Sequence, residues 1–215
     1  MKGGEIMMTV QKAVMKDKAK IMKMITSDKP FKEILQYIVK SIEEYCMDER
    51  VYGAIMLYNP SSNQLTEAVS ASLSGNFIQA IGTVDISPYG GSSGIAAYLK
   101  KPVFVADIEN NPIWDKNRHI ALVHGFRASL SIPLLSSNQE LLGTIELYSS
   151  QIGAPNEETL KIIDIFSKLA VLTIEVLSKN NRQSLYSFEM EHNFKEKVDQ
   201  KKRFFFNVYP AVGFV

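Results

Sequence analysis

The sequence predicts an α+β fold: an antiparallel sheet of five to six strands, long helices on one face, and short helices and loops over a pocket on the other. Three observations carry this expectation. Two pairs of β-branched segments, Val51–Leu73 and Phe126–Tyr148, are each joined by a short turn-rich loop and therefore pair as hairpins. Two amphipathic helical stretches precede the first hairpin, and a longer one follows the second. Only short helical pieces lie between the hairpins, so one face of the sheet lacks a long helix and leaves room for a cavity.

Bulk properties set the limits. A length of 215 residues suits one sizeable domain with appendages, and 46% hydrophobic content supports a core. With 24 basic against 23 acidic residues, the formal charge of +1 gives no broad field to gather nucleic acid. Cys46 is the only cysteine, which excludes an intrachain disulfide or a two-cysteine redox cycle and fits a reducing, cytoplasmic setting. No stretch approaches the roughly 20 apolar residues of a membrane span, so no membrane partner is expected.

Along the chain, Thr9–Thr26 places Val10, Val14, Ile21 and Ile25 on one stripe and Lys12, Lys16, Lys20 and Lys23 mostly elsewhere. This reads as a packing or dimer helix, the alternative being a basic face for a membrane surface or a partner helix. Pro30 opens a second helix, with Phe31, Ile34, Leu35, Ile38, Val39 and Ile42 at helical spacing as far as about Met47. Val51–Tyr58 and Leu65–Leu73 form the first hairpin around Asn59–Asn63, and Ser74–Ile81 reads as a short helix. Val103–Ile108 follows as a strand, Asn110–Pro112 as a turn and Asp115–Val123 as a short helix. Phe126, Ala128, Leu130, Ile132 and Leu134 then alternate with Arg127, Ser129 and Ser131, which puts the small polar side chains on the opposite, pocket-facing side. Leu141–Tyr148 completes the second hairpin. Asn156 is a credible N-cap, with Glu157 and Glu158 in the first turn of a helix carrying Leu160, Ile163, Phe166, Leu169, Ala170, Thr173 and Leu177.

The glycine-serine cluster Gly90–Gly94 invites a catalytic reading that its residues do not support. It lacks the Gly-Lys-Ser/Thr ending of a P-loop and the spacing of a dinucleotide turn, and no nearby histidine can serve a serine nucleophile. Two readings remain. Ser92 or Ser93 caps a helix over Gly94–Leu99, with Lys100 and Lys101 at its C-terminus and Pro102 ending it, or the free N–H groups bind an anionic or carbonyl group of a ligand.

Other candidates are weighed in the same way. Trp114 is a core aromatic or a stacking plate. His119 and His124 lie five apart, a poor match to a helical metal pair, and no acidic or cysteine partner clusters with them, so no metal or other cofactor is expected. Arg127 either forks onto a ligand carboxylate or phosphate, or pairs with Asp107 or Glu146.

Taken together, Gly91–Gly94, Ala96–Tyr98, Pro102–Ile108, Asn111–Trp114, His124–Ala128, Pro133 and Leu142–Thr144 make the chain similar to GAF domains, of the variety found in bacterial multidomain sensors such as histidine kinases and diguanylate cyclases. The resemblance covers about Lys29–Leu177. It implies a small-molecule-sensing regulatory domain of a signal-transduction protein, not an enzyme, with candidate ligand contacts at Ser92, Ser93, Gly94, Asp107, Trp114, His124, Arg127 and Ser129. It also implies a homodimer through the N- and C-terminal helices, and a kinase or cyclase output domain. The rival readings are a dimerisation module whose pocket is filled by side chains and, third, a GAF-type redox enzyme.

The Asn-Lys and Asp-Glu signature of cyclic-nucleotide-binding relatives is absent, and Cys46 lies on the second helix, away from where bilin-binding relatives need a cysteine. Many relatives carry a cysteine where Ser93 stands, so thiol chemistry there is excluded, and sulfoxide reduction needs more thiols than one. The expected organisation is an N-terminal helix at 1–28, the GAF-like domain at 29–178 and a C-terminal extension at 179–215. The end, Lys202–Val215, is similar to the opening of a PAS domain, the alternative being a self-packed tail.

Overall fold

A computed structural model describes residues 2–27, 29–46 and 50–177. Helix α1 (Lys2–Ile25) buries Val14, Ile21 and Ile25 and exposes Lys12, Lys16, Lys20 and Lys23, as its pattern requires, and begins at Lys2 rather than Thr9. Helix α2 (Phe31–Tyr45) starts after Pro30 and buries Ile34, Leu35, Ile38, Val39 and Ile42. The two helices are clamped by Asp17, whose Oδ1 and Oδ2 accept from the hydroxyls of Tyr37 and Tyr45, each at 2.7 Å. Lys20 Nζ also sits 4.0 Å from the centre of the Tyr37 ring, a cation–π contact that brings one of the expected solvent lysines into the helix pair.

Strands β1 (Val51–Asn59) and β2 (Gln64–Ser70) form the first hairpin. Helix α3 (Gly75–Ile81) is capped by Ser74, whose Oγ accepts from Phe77 N at 3.2 Å. A two-residue strand β3 (Val84–Asp85) pairs with β2; it is too short to carry an alternation and was not expected. Helix α4 (Gly91–Leu99) leads to β4 (Val103–Val105), which ends before the expected Ile108. The Asp107 carboxylate turns the chain there, accepting from Glu109 N at 3.1 Å and Asn110 Nδ2 at 2.6 Å. The expected turn at Asn110–Pro112 runs into a 3₁₀ turn at Pro112–Trp114, and helix α5 (Arg118–Val123) starts three residues after the expected Asp115 and ends where expected. Strands β5 (Ala128–Leu135) and β6 (Leu141–Ser149) form the second hairpin. Helix α6 (157–177) is capped by Asn156, whose Oδ1 accepts from Thr159 N at 2.9 Å. Its buried stripe holds Ile162 and omits Leu160, which stands 43% exposed.

The six strands run in the order β3-β2-β1-β6-β5-β4, every pair antiparallel. Long helices α2 and α6 share one face, where Tyr45 stacks on Phe166 at 5.9 Å, while α3, α4 and α5 roof the other. The alternation fails at one residue. Phe126 precedes the strand, after Gly125, and packs under the roof against Phe77 and Tyr148 instead of joining Ala128 and Leu130 on the long-helix side. Among the described residues no helix is long and apolar enough to cross a membrane. The C-terminal extension at 179–215, including the PAS-like stretch, lies outside the described residues.

Candidate functional site

The roofed face of the sheet is polar at its centre. On β6, Thr144, Glu146 and Tyr148 point toward the short helices because their neighbours Ile145 and Leu147 point toward the long ones. The β5 register sets Ser131 opposite Glu146, and Ser131 Oγ donates to Glu146 Oε2 at 2.6 Å. Both side chains are buried, Glu146 to 1% exposure. Burial pushes the Glu146 carboxyl up to about 7, and the hydroxyls of Ser131, Thr144 and Ser93 offset part of that rise. Among the described residues Glu146 Oε1 and Thr144 Oγ1, both buried, complete no hydrogen bond of good geometry, although the Thr144 and Ser93 hydroxyls stand near enough to the carboxyl to favour its charged form. Burial, and then the neighbouring Glu146 charge, also hold the Tyr148 phenol well above its ordinary value.

The glycine-serine cluster lies directly over this carboxyl. The helix starts at Gly91 with Gly90 at its cap position and no side-chain cap bond, so neither Ser92 nor Ser93 caps it; both are buried in its first turn, and Ser93 faces Glu146. The glycines answer a packing need. A Cβ on Gly90 or Gly94 would run into the carbonyl oxygen of Asp85, so β3 approaches α4 only because both positions lack one. Lys100 caps the helix in left-handed conformation, and its Nζ donates to Gln139 O at 2.6 Å.

The expected room beneath the roof is largely filled. Phe77 from α3 meets Phe126 at 5.0 Å and Tyr148 at 5.1 Å between ring centres, both edge to face, and Trp114 meets Tyr148 at 6.1 Å. Trp114 is a core aromatic, 5% exposed, whose Nε1 donates to Ser129 Oγ at 3.1 Å. The space left between α3, Met56, Glu146 and Tyr148 is about 10 Å³, one water's worth.

The candidates therefore separate. Ser93, Trp114 and Ser129 meet around Tyr148 and Glu146, with Ser92 and Gly94 in the helix above. Asp107 is spent on its own turn. His124 Nδ1 lies 2.9 Å from Ile120 O, with its ring edge-on to Phe77 at 5.1 Å. Arg127 pairs with neither Asp107 nor Glu146; its guanidinium meets Glu109 Oε2 at 2.6 Å. That choice follows from its position ahead of β5, where its own carbonyl accepts from Ile108 N at 2.7 Å and brings Glu109 alongside. No three His, Cys, Asp or Glu side chains gather as a metal site among the described residues. Cys46 is buried at the end of α2, on the long-helix side.

Glu146 is the residue that sequence reasoning missed as a site member. Its signal was present: in Thr144-Ile145-Glu146-Leu147-Tyr148 the apolar pair claims the helix-covered face, which sends the carboxyl to the other.

A family model described as GAF domain matches residues 28–175. The chain belongs to the GAF domain family. It is 28% identical over 156 residues to the methyl sulfide methyltransferase-associated sensor of Methanosarcina acetivorans, an alignment covering 73% of this chain and 15% of that protein. Solved structures share the fold. The GAF domain from an Acinetobacter phosphoenolpyruvate-protein phosphotransferase superposes with a TM-score of 0.56 at 13% identity, covering 79% of this chain and 98% of that one. The free methionine-R-sulfoxide reductase from Neisseria meningitidis, solved with its substrate, gives 0.55 at 16% identity, covering 75% and 88%. The GAF fold thus hosts both regulatory and catalytic proteins, and residues must decide between them.

Proposed function

We propose that this GAF domain is the sensory regulatory part of a bacterial signalling protein, and that its input is a small molecule whose polar group meets Glu146 and Thr144 beneath α3. The supporting observation is the pair of buried oxygens, Glu146 Oε1 and Thr144 Oγ1, which complete no well-formed hydrogen bond among the described residues at the centre of the roofed face. The sensor relative supports the regulatory class. Entry requires α3 to lift Phe77 out of its aromatic contacts, so the binding energy is spent in part on opening the roof, and the ligand acts by its preference for the open arrangement.

A route from roof to helices supports the transmission step. Glu43 on α2 accepts from Ser72 Oγ at 2.6 Å, two residues ahead of the α3 cap, and from Gly53 N at 2.7 Å. Moving α3 therefore pulls on α2, and the Asp17 clamp passes the strain to α1. A homodimer through the terminal helices and a kinase or cyclase output complete the reading. An enzymatic role is disfavoured: the sole cysteine is buried across the sheet from Ser93 and Glu146, and a thiol cycle needs an accessible thiolate at the site.

The filled aromatic cluster favours a second reading, a dimerisation module that binds nothing. Thermal denaturation against metabolite, nucleotide and tetrapyrrole panels, with native mass spectrometry for a retained ligand, decides between them. A ligand at 100 times its Kd adds about 2.7 kcal/mol, and at about 2 to 4 °C per kcal/mol the shift is plainly measurable. Loss of that shift in Glu146→Gln supports the site. Silence across the panels supports the dimerisation module.

A further inference from the structure

A second concavity lies on the other side of the sheet. Where β6 hands over to α6, a cleft of about 160 Å³ opens between Val51, Leu130, Leu147, Ile163, Phe104 and Pro155. Leu147 follows Glu146 in β6, so its side chain leaves the sheet in the opposite direction; Ser129 and Tyr148 border this cleft as well as the roofed site, but Glu146 does not line it. Among the described residues no charged side chain lines it. Its volume is close to that of the roughly 150 Å³ apolar cavity known to take up benzene, and far below what a helix or strand of a partner would occupy.

We propose that this cleft binds a small, uncharged, largely apolar molecule of about one aromatic ring. The cleft is pre-shaped. Gly153, at φ +122, turns the β6–α6 loop in a conformation that L side chains rarely adopt, and its N–H donates to Ala106 O at 3.0 Å, pinning the loop beside the end of β4. Asn156 both lines the cleft and caps α6, so an occupant touches the residue that fixes the start of the helix. Phe104 and Ile152, 39% and 58% exposed, form an apolar mouth. Its polar lining, Ser129, Tyr148, Ser149, Gln151 and Asn156, is uncharged, so an anion or cation would lose hydration there and meet no counter-charge among the described residues. This site stands independently of the reading of Glu146.

The test is titration of the whole chain, labelled at Leu, Val and Ile methyls, with toluene, indole and benzoate. Toluene and indole are expected to shift the Leu130, Leu147 and Ile163 methyls saturably, with benzoate weaker by roughly tenfold or more, equivalent to ~1.4 kcal/mol. Ala154→Trp, at an exposed lining position, is expected to abolish the shifts while the fold persists, and Gln151→Trp replaces it if that variant does not fold. Glu146→Gln is expected to retain them, which separates this site from the roofed one. Absence of saturable shifts, benzoate binding as tightly as toluene, or shifts that survive the blocking variant would each overturn the proposal.

Discussion

Ser131 Oγ donates to Glu146 Oε2 at 2.6 Å across the centre of the sheet, where both side chains are sealed from solvent. The bond stabilises a carboxyl that burial has moved from an ordinary 4.5 to about 7. A carboxyl raised by folding holds its proton longer in the native state than in the unfolded one. Stability is therefore highest below about pH 4.5 as far as this group is concerned, falls as pH rises toward 7 and levels off above it, a loss of roughly 3 kcal/mol. Urea denaturation of the native chain at several pH values is expected to show this decline, and Glu146→Gln to flatten it. An unchanged slope in the variant would assign the titration to another group.

Gly94→Ala is expected to destabilise. Alanine gains up to about 1 kcal/mol in helix propensity over glycine, but its Cβ would strike the Asp85 carbonyl, and overpacking of this kind costs about 1 to 3 kcal/mol. Backbone cannot swing aside as a side chain can, so the clash wins. A denaturation midpoint equal to or above wild type would refute the packing account of the glycine cluster.

Asp17→Ala removes the acceptor shared by Tyr37 and Tyr45, both hydroxyls reaching it at 2.7 Å. Burial and the hydrogen bond to Asp17 raise both phenols above their ordinary values, consistent with protonated donors throughout the neutral range. Hydrogen bonds to a charged group contribute about 1.5 to 3 kcal/mol. Hydrogen exchange is expected to accelerate in α1 around residues 14–25 and remain slow in β6. Uniform acceleration would mean that α1 does not detach separately.

Much of this architecture was legible because local chemistry and long-range packing agree. Both hairpins announced themselves by alternation and turn residues, and the Asn156 cap by its residue type, whereas Ser74 was read only as the start of a short helix. The single-residue signals were less reliable: β3 is two residues long, and Phe126 changed sides because Gly125 interrupts the alternation just before β5. Trp114, Ser129 and Ser93 could be proposed from the residues alone, whereas the closeness of Asp85 to Gly94 and the meeting of Phe77 with Tyr148 depend on tertiary approach that no local pattern encodes. Glu146 was readable in principle, from the face its neighbours leave free.

Asn156→Ala deletes the acceptor for Thr159 N and is expected to cost about 1 kcal/mol, typical of a lost N-cap. The loss is expected to appear as fraying of the first turn of α6, read from amide exchange at 157–160. Protection equal to wild type there would show that the cap is dispensable.

The chain has one tryptophan, and folding has set its indole against Ser129 and Tyr148, inside the roof. The molecule thus carries its own optical reporter. Lifting α3 or α5 is expected to wet that ring and move its emission to the red, whereas an occupant of the cleft, which Ser129 and Tyr148 border but the indole does not, is expected to leave the ring dry, so a red shift marks a response of the roof.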